Sequence, residues 1–321
     1  MGRAIAEGNY PVIARFRRYL DFAAGENVIG LSDMEGEGGA HTVVLQGLRD
    51  GWTERASELR VEPAALFFDG QIFPREEVPL YRDNAECAFF AALPLEEKRR
   101  RLRFFRGTVL EHAAPLSMAV ALDPARRGHF RGAFAEALAA RFLEGASACA
   151  AGEYARAASL LQGVGYGLTP SGDDFLCGAM YALHFASACG LAPEDMRGAG
   201  DADDGRAADS VHGAGAVNAL ALAIEAGLSR SAFMSRTFLR DALAGRWPRR
   251  LRDAVESLGR DGGEYASIRS AVLRALQHGA SSGADLLSGF ILIALCFGEI
   301  KRSVQNEAKQ EEQHEAGRGA A

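Results

Sequence analysis

The stretch that decides the architecture of this chain is GYGLTPSGDDFLCG, residues 165–178, because a shortened copy of it, SGADLLSG, returns at residues 282–289. Both copies read Ser-Gly-x-Asp, an apolar residue, Leu, a small residue and Gly, and each opens a strongly apolar run. Ser, Gly and Asp ahead of an apolar run are typical of a helix start. The sequence therefore predicts two buried helices with matching N-termini.

The last glycine of each copy predicts how these helices meet. Gly178 and Gly289 fall about two turns into their helices, where glycine costs roughly 0.5–1 kcal/mol relative to alanine. A close approach of the two helices would offset that cost, so we expect them to cross near these glycines with their N-termini side by side. Two adjacent N-termini favour a bound anion. A purely structural alternative stays open, in which the Ser and Asp side chains only cap the first turns.

The remaining sequence predicts an α+β fold. Residues 1–125 contain β-branched apolar segments at 27–31, 41–47 and 117–122, and the hairpin pattern ALFF-DG-QIF at 65–73, with a short exposed helix at 94–107 between them. Residues 126–300 are rich in Ala and Leu at helical spacing. Residues 301–321 have almost no apolar side chains and predict a disordered tail.

Composition excludes several classes of protein. A formal net charge of −6 argues against nucleic-acid binding, and the five cysteines are scattered without a CxxC pair, which predicts reduced thiols in a cytoplasm. The apolar run 175–192 is weakly hydrophobic and contains His184, so a buried helix is favoured over a membrane span. With no lysine between Lys98 and Lys301, a P-loop is absent.

The two copies, together with SRTFLRDALAGRW at residues 235–247, resemble the AllH-like family, a bacterial family long catalogued as a domain of unknown function. The resemblance covers about residues 160–295, and Tyr166 stands where the family often has proline. It implies one subunit of an oxamate carbamoyltransferase, which converts oxalurate and phosphate to oxamate and carbamoyl phosphate in allantoin catabolism, a branch of purine degradation. The implied partners are an acyl-CoA synthetase-like subunit and a third subunit.

On this interpretation the two helix starts hold a ligand that carries negative charge at one end and N–H groups at the other. Asp173 or Asp174 would accept the N–H groups, and His278 would act as an acid. Backbone amides and hydroxyls of the two starts would bind the anionic end. The predicted ligand-binding residues are Gly167, Thr169, Ser171, Gly172, Arg236, Thr237, Ser281, Ser282, Gly283 and Asp285.

Several alternatives stay open at this point. No cofactor is expected, although a magnesium ion between Asp173 and a phosphate is a competing account. For His41, a position in a cleft between the domains is possible, whereas Cys177 is expected to be a buried thiol rather than a nucleophile. The chain could also be a non-catalytic anion-binding or scaffolding subunit, or a magnesium-dependent small-molecule kinase.

Overall fold

The computed structural model describes residues 1–34, 37–78, 80–189, 212–260 and 265–297. The predicted tail, 301–321, lies outside these residues. The described chain consists of an N-terminal β-sheet followed by a set of packed helices, which confirms the predicted α+β class.

Seven strands form one sheet in the order β4-β3-β2-β1-β5-β6-β7. Neighbouring strands are antiparallel, except that β3 and β4 are parallel. The predicted hairpin is confirmed, with Asp69 and Gly70 at φ 47° and 69° in its two-residue turn. The strands are β1 Gly8–Phe16, β2 Tyr19–Ala24, β3 Asn27–Ser32, β4 Thr42–Val44, β5 Glu58–Val61, β6 Ala65–Phe68 and β7 Gln71–Pro74.

The helices follow the sheet, apart from one short helix that precedes β5. They are α1 Trp52–Arg55, α2 Ala88–Ala92, α3 Leu95–His112, α4 Ala133–Ala150, α5 Tyr154–Leu161, α6 Ser171–Ala188, α7 His212–Gly227, α8 Phe233–Leu243, α9 Arg249–Glu256, α10 Tyr265–Leu276 and α11, residues 282–297. The sheet and the helices have separate hydrophobic clusters, and the helical cluster begins at Cys87. Residues 87–122 thus pack with the helices, although the sequence predicts a domain that reaches residue 125.

Two local predictions differ from the structure. Residues 117–122, predicted as a strand, contain the 3-10 helix Met118–Ala121. Side-chain acceptors turn the backbone there, because the Met118 N–H donates to Asp285 Oδ1 at 2.5 Å and the Ala119 N–H donates to Ser117 Oγ. The helix predicted at 94–107 is confirmed but is longer, and it buries Leu102 and Phe105 instead of lying exposed.

The predicted crossing of the two repeated helices is present and is reciprocal. A Cβ atom added to Gly178 of α6 would lie 1.9 Å from the Leu286 carbonyl oxygen of α11, and one added to Gly289 would lie 2.0 Å from the Phe175 carbonyl oxygen of α6. Only glycine permits such a backbone-to-backbone approach. The Thr169 and Ser282 hydroxyl oxygens, 2.9 Å apart, show that the helix starts also meet.

The sheet is attached to the helices by main-chain groups at the start of α9. The Tyr81 hydroxyl donates to the Trp247 carbonyl at 2.9 Å, and the Trp247 N–H donates to the Asp83 carbonyl at 2.6 Å. The Arg249 N–H donates to the Gly38 carbonyl at 2.8 Å. The Arg249 bond holds the loop before β4, and the Trp247 bonds hold the segment after β7, against the helical part of the chain.

We expect Gly178→Ala to destabilise the protein by about 3 kcal/mol, since the new methyl group overlaps the α11 backbone, which cannot rotate away as a side chain can. The matched control is Gly107→Ala on α3, where a Cβ meets nothing within 4 Å. That substitution should stabilise by roughly 0.5–1 kcal/mol through helix propensity. Urea unfolding measures both, and equal effects would contradict the close crossing.

Candidate functional site

A cavity of about 110 Å³ lies where the starts of α6 and α11 meet the N-terminal sheet. Its helical wall includes Thr169, Asp174, Thr237, Asp241, Arg246, Arg250, His278, Ser282 and Gly283, and its sheet wall includes Tyr19, Asp21, Glu37, Gly39, His41 and Thr42. This volume admits a ligand of a few heavy atoms. Both acidic and basic side chains reach it, so the cavity suits a small polar ligand with mixed groups.

The two helix starts contribute a carboxyl group held by two hydroxyls. Asp174 is buried, and burial raises its pKa well above the usual range, with the nearby Asp285 carboxylate acting in the same direction. Hydrogen bonds from the Ser282 and Thr169 hydroxyls oppose this shift. Burial thus favours the neutral Asp174 carboxyl over the charged one, and in that form it can donate a hydrogen bond.

Asp173, the other member of the doublet, does not line the cavity. Its Oδ1 atom accepts the Gly163 N–H and the Ser231 hydroxyl, each at 2.9 Å, so it ties the loop before α6 to the loop before α8. Burial raises its pKa, whereas these hydrogen bonds act in the opposite direction. The doublet thus consists of one acid at the cavity and one that joins two loops.

The N-terminus of α6 is not capped by a Ser or Asp side chain, contrary to what the capping alternative predicted. The N-cap residue is Pro170, no side chain accepts a hydrogen bond there, and Ser171 is already the first helical residue and is buried. The carboxyl of Asp285 is likewise used elsewhere, because Oδ1 accepts the Met118 N–H. Burial raises the pKa of Asp285 to about 7, against hydrogen bonds from Met118, Ser281 and Ser171.

The backbone amides predicted to bind an anion are engaged within the chain. The Gly172 N–H donates to the Val164 carbonyl at 2.8 Å, and the Gly283 N–H donates to the His278 carbonyl at 3.0 Å. A Cβ on Gly172 would lie 2.0 Å from the Leu161 carbonyl oxygen, so close packing accounts for this glycine. Gly167, with φ 87°, lies in an exposed turn away from the cavity.

Of the site residues predicted on α8 and near the start of α11, some line the cavity and others do not. Thr237 is buried and lines the cavity, whereas the guanidinium of its neighbour Arg236 lies over the Phe233 ring at 5.7 Å and does not line it. His278 lines the cavity and is exposed. Ser281 lies beside the cavity residue Ser282 and accepts the Asp285 N–H through its carbonyl.

The charged residues of the cavity outside the two motifs were missed by sequence reasoning. Arg250 pairs with Glu37 across the two parts of the fold, and Asp241 Oδ1 lies 3.2 Å from His41 Nε2 and 3.0 Å from Arg246 Nε. Asp241 and Arg246 lie within the stretch 235–247 that carries the resemblance, which is a signal that could have identified them. Glu37 lies in the polar, glycine-rich segment before β4, and that composition could have pointed to it.

Two further groups bear on the chemistry. Burial raises the pKa of Cys177 well above the usual range, so this cavity thiol stays protonated and is a poor nucleophile. Burial also raises the pKa of Asp21 on β2 to about 7. Within the described ranges, no three His, Cys, Asp or Glu side chains are grouped so as to hold a metal ion.

The fold and cavity define a class of α+β proteins with a small polar site between a β-sheet and two crossing, glycine-packed helices. Residues 161–294 match the family described as "Oxamate carbamoyltransferase subunit AllH". The match bears out the predicted resemblance to the AllH-like family over this segment. No curated protein and no solved structure matches the chain.

The matched segment contains the helical wall of the cavity and not the sheet wall, since Tyr19, Asp21 and residues 37–42 precede it. In the part of the chain that the structure describes, no helix is both long enough and apolar enough to cross a membrane. The apolar run that begins at Phe175 instead forms the buried helix α6.

The raised pKa of Asp285 predicts a pH-dependent stability. Its pKa is about 7 in the folded protein against an ordinary value of 3.8, so the folded state binds more protons between these values and loses stability as pH rises through 7. Asp285→Asn removes this contribution while keeping an oxygen for the Met118 N–H. Between pH 5 and pH 7, we expect the variant to gain roughly 2 kcal/mol relative to the original protein.

Urea unfolding of both proteins at the two pH values measures this difference. A constant difference in unfolding free energy would show that Asp285 is already ionised at pH 5.

Proposed function

We propose that this chain is a subunit of an oxamate carbamoyltransferase and that its cavity binds the carbamoyl-group substrates. The reaction is the transfer of a carbamoyl group from oxalurate to phosphate, which yields oxamate and carbamoyl phosphate. The partners would be an acyl-CoA synthetase-like subunit and a third subunit, and the context would be allantoin catabolism. The description of the matched family supports the enzyme class.

The observation that carries the proposal is the convergence of both repeated helix starts on one cavity of mixed polarity. Oxamate and oxalurate have a carboxylate at one end and amide N–H groups at the other. Arg246 and Arg250 supply cations for a carboxylate or phosphate, because guanidinium groups bind both in a planar fork. The carboxylates of Glu37 and Asp241 are acceptors for N–H groups.

Asp174 takes the role of a neutral donor in this proposal. A protonated carboxyl beside the Thr169 and Ser282 hydroxyls can donate to the carbamoyl oxygen, where negative charge develops when phosphate attacks the carbamoyl carbon. A charged Asp174 would instead repel both the oxygen and the phosphate. The raised pKa supports hydrogen-bond donation by this residue.

Carbamoyl transfer requires few covalent steps from the protein. It requires that the phosphate and the carbamoyl carbon be held in line and that water be kept out. The buried helix starts supply a rigid wall for this purpose, since both helices are fixed by the Gly178–Gly289 crossing.

The test is phosphorolysis of oxalurate by the three co-expressed subunits, measured as carbamoyl phosphate formed. Asp174→Leu removes the donor while keeping the side-chain size, and we expect kcat/KM to fall by about 10²-fold, as for loss of one donor to a developing oxyanion. Asp174→Asn keeps an N–H donor and should retain activity within about 10-fold of the original. If Asp174 acts in its ionised form instead, both variants should be equally inactive.

Asp173→Asn is the matched control, because Asp173 is adjacent and equally buried but does not line the cavity. Its activity per assembled complex should equal that of the original. Unchanged activity of Asp174→Leu in an intact complex would instead indicate a scaffolding subunit. An original complex that consumes ATP without transferring a carbamoyl group would indicate a kinase.

A further inference from the structure

The pair His41–Asp241 lies at the contact between the sheet wall and the helical wall of the cavity. His41 immediately precedes β4 and Asp241 is on α8, and both line the cavity. His41 Nε2 lies 3.2 Å from Asp241 Oδ1, and the two side chains are 19% and 9% exposed. A histidine beside a buried carboxylate is the arrangement that fixes one imidazole tautomer and stabilises its protonated form.

Both members of the pair are held in place by their surroundings. The Gly30 N–H donates to the His41 carbonyl at 2.9 Å, so β3 fixes the backbone on one side. Arg246 Nε lies 3.0 Å from the same Asp241 oxygen that contacts His41. Asp241 therefore lies between the Arg246 guanidinium and the His41 ring. The guanidinium balances the Asp241 charge whether or not the imidazole is protonated.

We infer that His41 is the proton-transfer group of the proposed carbamoyl transfer and that Asp241 is its positioning residue. This inference rests on the proposed function. When a phosphate oxygen bonds to the carbamoyl carbon of oxalurate, the bond from that carbon to the oxamate nitrogen breaks. The electron pair of the broken bond stays on nitrogen, and the proton of the His41 imidazolium moves to it.

In the reverse direction the same groups act in the opposite sense. The amide nitrogen of oxamate gives a proton to neutral His41 as it bonds to the carbamoyl carbon, and phosphate leaves with the electron pair of the C–O bond. Nε2 faces Asp241 Oδ1 at 3.2 Å, so we assign the proton exchange to Nδ1. An amide nitrogen is a poor leaving group without such a proton, which is why the reaction needs an acid at this position.

The other candidate groups suit this role less well. Among the described residues, histidine rings form ion pairs at His41–Asp241 and at His112–Glu111, and the second pair is on the surface. His278 also lines the cavity, but the carboxylate that acts on it, Glu37, is paired with Arg250. Burial disfavours the ionised form of Asp174, so this carboxyl suits hydrogen-bond donation better than repeated proton transfer.

The test compares His41→Ala and His41→Gln in the three-subunit complex. Both remove the proton, whereas glutamine keeps an N–H that can donate to Asp241 and so preserves the contact between the two walls. We expect both to lower kcat by about 10²- to 10⁴-fold with little change in KM. Added imidazole should restore part of the rate of His41→Ala, because it can occupy the space that the missing ring leaves beside Asp241.

Asp241→Asn should lower kcat without rescue by imidazole, since the ring is present but its orienting carboxylate is lost. His129→Ala, at an exposed position outside the cavity, is the control and should behave as the original in both conditions.

The outcomes separate this inference from the proposed function. An active original complex with active His41→Gln would overturn the role of His41 and leave the subunit assignment intact. A rise in KM without imidazole rescue would show that His41 only binds or positions, which also overturns the inference. An original complex without carbamoyl transfer would overturn both.

Discussion

The crossing of α6 and α11 at two glycines is the constraint on which the remaining structure depends. Each glycine receives a backbone carbonyl of the other helix, at positions where a methyl group would lie about 2 Å from oxygen. This reciprocal contact sets the separation and the alignment of the two helices together. The glycines occupy the same place in both copies of the motif, so the N-termini of α6 and α11 lie side by side. Thr169 and Ser282 therefore come within hydrogen-bond distance.

Bringing two helix starts together also brings together their acids, and burial determines the state of those acids. Asp174 and Asp285 are both buried, and the Asp285 carboxylate opposes ionisation of Asp174. The neutral form avoids both the desolvation of a charge and the repulsion between like charges. The helix crossing thus favours the neutral form of Asp174, in which its carboxyl is a hydrogen-bond donor.

The sequence predicts well those parts of the fold that depend on a local pattern of residues. The Ser-Gly-x-Asp copies, the glycines two turns later and the Asp69-Gly70 hairpin all follow from the backbone preferences of a few adjacent residues. Residues 117–122 were predicted as a strand because their apolar pattern fits one. The acceptor that turns this segment is Asp285, distant in sequence, which no local pattern reveals.

The site was predicted in part for the same reason. Asp174, Thr169, Thr237, His278 and Ser282 belong to motifs and line the cavity, whereas Asp173 and Arg236 belong to the same motifs and do not. One step along a helix turns a side chain by about 100°, so adjacent residues of one motif serve different purposes. The sequence specifies both residue types but not which of them faces the ligand.

The sheet explains why the motifs alone do not complete the site. The matched family segment contains only the helical wall, and its Arg250 and Asp241 are paired with Glu37 and His41 of the N-terminal part. Each pair joins one polar side chain of the sheet wall to one of the helical wall. Without the sheet, Arg250 and Asp241 would therefore lack these partners at the cavity. A ligand that binds there contacts both walls, and the anchoring of the loop before β4 by Arg249 is part of the same arrangement. The N-terminal sheet is therefore a component of the site rather than an appendage to the helical domain.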